Sequence, residues 1–275
     1  MRYVTLNNGV NMPQLGFGVW QVPDDEAYTA VARALDTGYR SVDTAAAYGN
    51  EDGVGRAVRD SGVPRDDLFI ATKLWNSDQG WDKTMRACVD SLERLGLEYV
   101  DLYLMHWPMP ERDLYIETWR AMERLHEEGL ARAIGVCNFP AAHLDRLVKE
   151  ARTIPVLNQI ELHPYLTQAE MRAVDSGYGI ATEAWSPLGQ GKGLLSDPVL
   201  AHIAETYGRT PAQVVLRWHL QLGNIVIPKS VTPSRIEENL DVFGFSLERG
   251  DMDAISALNR NERFGPDPET MNALG

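Results

Sequence analysis

Four side chains able to exchange or steer a proton stand at or just past the ends of short apolar runs. Asp43 closes Ser41-Val42-Asp43, Lys73 closes Phe69-Ile70-Ala71-Thr72-Lys73, and His106 closes Leu102-Tyr103-Leu104-Met105-His106. Tyr48 follows Asp43 in the stretch Thr44-Ala45-Ala46-Ala47-Tyr48-Gly49-Asn50-Glu51. Taken singly, a lysine after a β run can snorkel to water and an aspartate there can brace a loop. Together they make a proton-transfer set. A phenol is a weak acid, with an ordinary pKa of about 10. An ammonium about 4 Å away contributes about 4 kcal/mol at an effective dielectric near 20, enough to lower that pKa by up to about 3 before desolvation opposes it. Lys73 is the candidate ammonium, Asp43 the carboxylate that keeps it protonated and aimed, and His106 the ring that orients the oxygen receiving the phenolic proton. Such a set suits protonation of an alkoxide as it forms.

These residues need a scaffold that brings strand ends to one rim. Short apolar runs at residues 41–43, 68–72, 100–105, 134–136, 156–160, 179–183 and 224–227 alternate with amphipathic stretches, and residues 14–18 supply an eighth run. The rhythm is that of βα units of roughly 30 residues. Helix punctuation agrees. Asp24 is placed to cap a helix with Ala27, Val31, Ala34 and Leu35 on one face and Gly38 at its left-handed end. Thr210-Pro211-Ala212-Gln213 has the residues of a capping box and predicts a helix through Trp218. Eight strands alternating with helices favour an α/β fold, a single (β/α)8 barrel spanning residues 1–275. An open doubly wound sheet is the rival, but Gly16-Phe17-Gly18 lacks the third glycine of a G-x-G-x-x-G fingerprint and no other copy occurs. In a barrel the active site lies at the C-terminal ends of the strands, where Asp43, Lys73 and His106 fall.

Composition sets the outer limits. Of 275 residues, 44% are apolar and 24% charged, ordinary values for a globular chain with a sizeable core. The 26 basic and 39 acidic residues leave a net charge of −13, which argues against nucleic-acid and anionic-membrane partners. The first residues lack the apolar stretch of a signal peptide and no run is long enough to span a membrane, so a cytoplasmic protein is expected. Two cysteines fit a reducing compartment, Cys88 as a buried thiol beside Met85 and Leu92. No two histidines lie three or four residues apart, so no helix-borne zinc pair is expected, and His126 reads as structural beside Trp119.

The stretch Gly38-Tyr39-Arg40-Ser41-Val42-Asp43-Thr44-Ala45, with Glu51, Val54 and Gly55 beyond it, resembles the first signature of the aldo-keto reductases. Asp43, Tyr48, Lys73 and His106 correspond in order to that family's catalytic tetrad. Asn158-Gln159-Ile160-Glu161-Leu162-His163-Pro164 and Ile227-Pro228-Lys229-Ser230 are similar to its cofactor segments. Ala184-Trp185-Ser186-Pro187-Leu188-Gly189-Gln190-Gly191 looks most like the bacterial 2,5-diketogluconate reductase branch, and the similarity runs from about Leu15 to Asn272.

The resemblance implies hydride transfer from a reduced nicotinamide to a carbonyl carbon, with Tyr48 protonating the oxygen. It implies that Asn138 and Gln159 bond the nicotinamide carboxamide, that Trp185 stacks on the ring, and that Ser186, Leu188, Gln190, Ser230, Val231 and Thr232 contact the cofactor. Glu238 and Asn239 would approach its adenine. Lys229 and Arg235 flank a helix start expected at Thr232, a place that attracts phosphate, so NADPH is expected over NADH; pairing of Arg235 with Glu238 is the plainer use of that charge. Cys137 replaces the family's usual serine and offers a weaker donor to the carboxamide. Trp20, Trp75 and Trp107 follow three of the strands and are candidates to shape a pocket for a small carbonyl substrate. The segment at 263–268 is expected to fold over that pocket. Sugar-derived diketones, methylglyoxal and aromatic aldehydes all stay open as substrates, and a monomer is expected by analogy with relatives. Two other functions compete: a non-catalytic nicotinamide-binding subunit of the same fold, and a Schiff-base aldolase using Lys73.

Overall fold

The computed structural model describes residues 1–274. It opens with a hairpin that the sequence reading did not anticipate, β1 (Tyr3–Thr5) paired antiparallel with β2 (Asn11–Pro13). Eight parallel strands follow: β3 (Phe17–Gly18), β4 (Ser41–Asp43), β5 (Phe69–Leu74), β6 (Leu102–Met105), β7 (Ile134–Cys137), β8 (Leu157–Glu161), β9 (Ala181–Trp185) and β10 (Ile225–Val226). Their order in space is their order in the chain. Gly16 N donates to Val226 O at 2.8 Å and Val226 N to Gln14 O at 3.1 Å, which joins the first strand to the last and closes the barrel. The helices α1 (Asp24–Thr37), α2 (Glu51–Asp60), α3 (Trp81–Leu95), α4 (Tyr115–Glu127), α5 (Ala141–Glu150), α6 (Ala169–Gly177), α7 (Pro198–Tyr207), α8 (Pro211–Gln221), α9 (Pro233–Leu240) and α10 (Arg249–Ser256) complete the (β/α)8 architecture. Among the described residues no helix is long and apolar enough to cross a membrane.

Period-2 alternation sorts each strand onto two faces. Ile70, Tyr103, Met105, Ile134, Val136 and Ile160 join the layer between sheet and helices. Phe69, Ala71, Leu102, Leu104 and Leu157 point the other way, into the barrel, where Leu6 and Met12 of the hairpin pack against them. The hairpin therefore plugs the N-terminal end. Continuing the inward parity toward the C-terminal end brings Asp43, Lys73, Cys137, Gln159, Glu183 and Trp185 to the same side.

Local differences have physical causes. Thr210 and Gln213 form the expected reciprocal cap on α8, and Gly38 closes α1 at φ 116°. Asp24, by contrast, does not cap α1: Pro23 takes that position, and the Asp24 carboxylate reaches sideways to Gly53 N (2.5 Å) and Arg56 Nη2 (2.8 Å), tying α1 to α2. The run expected at 179–183 starts at Ala181, because Gly179 is still in the left-handed turn leaving α6, at φ 70°. Cys88 is fully buried, and His126 Nδ1 lies 2.8 Å from Ala131 O in a local structural contact.

Candidate active site

The loop after β4 decides where Tyr48 sits. One 3-10 turn, Ala46–Tyr48, and the left-handed Gly49 (φ 66°) lead into α2. Asn50, fully buried, accepts from Thr44 Oγ1 at 2.7 Å and donates to Val19 O (3.0 Å) and Val22 O (2.8 Å), clamping this loop to the one that carries Trp20. Glu51 accepts from Thr72 Oγ1 (2.5 Å) and Arg94 Nε (2.7 Å), so the start of α2 is fixed to the strand that presents Lys73. Neither clamp was read as such from the sequence; their partners are loop carbonyls and distant side chains.

Lys73 has no solvent exposure and its ammonium donates in three directions: to Asp43 Oδ1, to Thr44 O at 2.9 Å and to Tyr48 Oη at 3.4 Å. Burial alone would lower the lysine's pKa, but the Asp43 carboxylate reverses this and raises it above the ordinary value. The residue is therefore a fixed cation, which disfavours its use as an amine nucleophile in a Schiff-base reaction. For Tyr48 the balance differs from the sequence expectation. Burial raises its pKa to about 12, because desolvation of the phenolate outweighs the lowering by Lys73. Burial and then the Lys73 charge push His106 well below the usual histidine value, leaving a neutral ring. His106 Nδ1 is buried with no hydrogen-bond partner, and its ring stands edge-on to Tyr48 (5.8 Å) and Trp75 (5.2 Å).

A cavity of about 1140 Å³ opens above this set, larger than the ~300–1,000 Å³ of most small-molecule sites. One end is apolar, with Trp75 and Trp107 on the His106 ring beside Tyr48; Trp20, Pro266 and Met271 also line the cavity, as does Phe264, which stacks on His163 at 4.6 Å. The 263–268 segment does fold over it: Glu161, fully buried, accepts from Phe264 N (2.6 Å) and Gly265 N (3.0 Å). A Cβ at Gly265 would collide with the Trp185 ring. The tail beyond also docks here, with Trp75 Nε1 donating to Leu274 O at 2.9 Å and Asn76 Nδ2 to Ala273 O at 2.8 Å.

The other end is polar. Asn138, Gln159, Trp185, Ser186, Leu188 and Gln190 line its middle, and Lys229, Ser230, Arg235, Glu238 and Asn239 its far wall. Asn138, Ser186 and Gln190 adopt left-handed φ of 61°, 51° and 53°, a conformation uncommon outside glycine that clusters at binding sites. Trp185 Nε1 donates to Asn138 Oδ1 at 2.8 Å and Asn138 Nδ2 to His106 O at 3.0 Å. Among the described residues neither Lys229 nor Arg235 has a carboxylate within ion-pair distance, and Glu238 accepts from Thr210 Oγ1 at 2.6 Å instead of pairing with Arg235. Two cations facing a cavity without counter-ions fit a phosphorylated ligand.

Not every expected contact faces the cavity. Lys73 lies beneath its floor. The side chains of Val231 and Thr232 do not line it: Val231 borders a separate groove with Asp25 and Glu26, and Thr232 N is taken by Ser230 Oγ at 3.1 Å, a turn that directs both side chains outward. Cys137 is fully buried, its pKa raised well above the ordinary thiol value chiefly by burial, and its Sγ contacts Gln159 Oε1 at 3.8 Å. That environment argues against a reactive thiol. Glu183, which the sequence reading did not single out, lies behind Gln159.

Comparison with known proteins agrees with this geometry. Residues 12–260 match the model of the Aldo/keto reductase family. The chain is 52% identical over 267 residues to the methylglyoxal reductase DkgA of Escherichia coli, covering 97% of this chain and 96% of that protein. A crystal structure of an aldo/keto reductase from Brucella melitensis superposes with a TM-score of 0.91 at 57% identity, covering 94% of this chain and 99% of that one. A mutant of Gox0644 crystallised in complex with NADPH gives 0.94 at 48% identity over 98% of both chains. Fold, cavity and sequence thus converge on one assignment: the chain belongs to the aldo/keto reductase family.

Proposed function

We propose that the protein is an NADPH-dependent reductase of small, uncharged aldehydes and ketones, with Tyr48 as the proton donor. The observation that carries this reading is the Tyr48 hydroxyl 3.4 Å from a fully buried ammonium, at the apolar end of a cavity whose other end bears the unpaired Lys229 and Arg235. Bound NADPH supplies the hydride to the carbonyl carbon. Lys229 and Arg235 would hold its 2′-phosphate, and Asn138, Gln159 and Trp185 the nicotinamide. As charge develops on the substrate oxygen, Tyr48 Oη gives it a proton and becomes a phenolate beside Lys73. A pKa of about 12 leaves the phenol protonated at neutral pH, yet still a far stronger acid than an alcohol. The ammonium acts on the product of that transfer: at 3.4 Å and an effective dielectric near 20 the pair is worth about 5 kcal/mol. His106, neutral, directs the carbonyl oxygen, with the indoles of Trp75 and the buried Trp107 packed around the His106 ring.

The lining also bears on substrate. Among the described residues Lys229 and Arg235 are the only cations on the cavity wall, and both stand at the polar end. A sugar acid would leave its carboxylate among indoles without a partner, which is costly. A small aldehyde of the methylglyoxal kind meets no such cost, and the relative from E. coli carries that activity in its name. Replacing Tyr48 by Phe tests the mechanism: reduction should be abolished while NADPH still quenches tryptophan fluorescence with near wild-type affinity. Wild-type turnover in that variant would remove Tyr48 from its role. Comparing kcat/KM for methylglyoxal and for 2,5-diketogluconate tests the substrate class, and a clear preference for the acid would overturn it.

A further inference from the structure

Across the barrel from Asp43, with β3 and β10 between their strands, the interior holds a second carboxyl that the reaction above does not use. Glu183 on β9 pairs in register with Gln159 on β8 and has no solvent exposure. The Gln159 amide donates to Asp43 Oδ2 at 3.0 Å and to Glu183 Oε2 at 2.8 Å. A carboxamide has two N–H protons, and both are now engaged. Only its oxygen is left to meet a ligand, opposed by nothing stronger than the Cys137 thiol at 3.8 Å.

We propose that Glu183 is a positioning residue for the reductase: by engaging the second N–H of Gln159 it fixes that amide's orientation and presents Gln159 as a hydrogen-bond acceptor to the nicotinamide carboxamide. This rests on the NADPH reading above. Tyr48, Lys73, Asp43, Gln159 and Glu183 then form one continuous hydrogen-bonded chain from the proton donor to the cofactor's seat. Without Glu183 the amide retains one anchor, and a freed N–H turns a uniform acceptor into a mixed site.

The charge on Glu183 gives the proposal a second face. Burial, and then the Asp43 charge from β4, raise its pKa to about 8; the Gln159 bond from β8 and the Lys73 cation from β5 oppose this. Its Oε1 is buried without a partner. At pH 7 the carboxyl is protonated and accepts from Gln159 as a neutral carbonyl does. Above pH 8 it becomes an anion behind the nicotinamide seat, which favours the cationic oxidised ring over the neutral reduced one.

The test uses the whole enzyme with Glu183→Gln and Glu183→Leu, titrating NADPH and NADP⁺ separately by tryptophan fluorescence from pH 6.5 to 9.5. E183L should weaken NADPH about five- to tenfold, the loss of one buried neutral hydrogen bond, and leave the KM for the carbonyl substrate within about twofold. E183Q, which keeps an acceptor oxygen, should restore NADPH binding at pH 7. The wild-type affinity ratio of NADP⁺ to NADPH should rise through about pH 8, and E183Q should flatten it. Tyr48 titrates well above that pH, Cys137 and Lys73 are raised and His106 lowered, while Asp175, raised to about 7 behind Asn158, is common to wild type and E183Q, so the difference between those two proteins belongs to Glu183. Wild-type affinity in E183L, or an unchanged pH dependence in E183Q, overturns the proposal. If E183L does not fold, the E183Q ratio decides alone. Failure of wild-type protein to oxidise NADPH with any carbonyl would instead overturn the reductase reading, whatever Glu183 does.

Discussion

Replacing Lys73 by Met separates what the buried ammonium does for stability from what it does for the reaction. The substitution keeps most of the side-chain volume and deletes a cation that donates to Asp43, Thr44 O and Tyr48 Oη. Asp43, almost fully buried, is left with one side-chain donor, Gln159 Nε2 at 3.0 Å. Removing one partner of a buried pair costs about 3–5 kcal/mol, which in a chain of this size lowers Tm by roughly 10 °C. The phenolate of Tyr48 loses about 5 kcal/mol of attraction at 3.4 Å, and at about 1.4 kcal/mol per decade kcat should fall by roughly three to four orders of magnitude. The control is Lys73→Met with Asp43→Asn, in which no orphaned charge exists. Scanning calorimetry should show most of the Tm regained, while NADPH oxidation with methylglyoxal stays at the level of the single variant. A Lys73→Met protein that is folded and turns over within tenfold of wild type would refute the reasoning, as would activity returning in the double variant.

Three further outcomes are expected. Neutralising Lys229 and Arg235 to Gln should raise the KM for NADPH about 10- to 100-fold, from the loss of charge-assisted contacts, and leave that for NADH within about twofold; equal effects would remove the 2′-phosphate assignment. Asp175, fully buried between Asn158 Nδ2 (3.2 Å) and Thr182 Oγ1 (2.8 Å), has its pKa raised by burial to about 7. Its folded form prefers the proton, so its contribution to stability is complete below about pH 4 and is lost as pH rises to about 7; Asp175→Asn should gain on wild type across that window by at most roughly 4 kcal/mol, then level off, and a gain that grew toward acid would contradict the burial argument. Glu161→Ala removes the acceptor for Phe264 N and Gly265 N and should raise the carbonyl KM several-fold and weaken NADPH as well, because Gly265 packs on the Trp185 ring; unchanged values of both would show that the segment holds its place without Glu161.

How far the sequence reaches can be judged from particular residues. Asp43, Lys73 and His106 were legible because a period of two and a βα rhythm leave little choice about which residues end inward-facing strands. Tyr48 was legible only as a loop residue near Asp43; its final position depends on Asn50 and Glu51, whose partners lie on other loops and strands. The hairpin of β1 and β2 escaped notice because three-residue strands around Asn7, Asn8 and Gly9 are too short to display alternation. Glu183 escaped for a different reason: its significance comes from Gln159 and Asp43, 24 and 140 residues away by position number, brought beside it by barrel closure. The direction of the Tyr48 shift needed the burial itself, since a sequence supplies the neighbouring charge without the desolvation that opposes it.

The first and last described residues sit in unequal places. The hairpin stoppers the pole of the barrel away from the reaction, whereas the carbonyls of Ala273 and Leu274 are held by Asn76 and Trp75 at the lip of the substrate chamber. An affinity handle fused before Met1 would trail from the far pole and leave turnover unaffected. The same handle fused at the other terminus would pull on backbone that forms part of the chamber wall, and would register as a changed carbonyl KM before any loss of folding became visible.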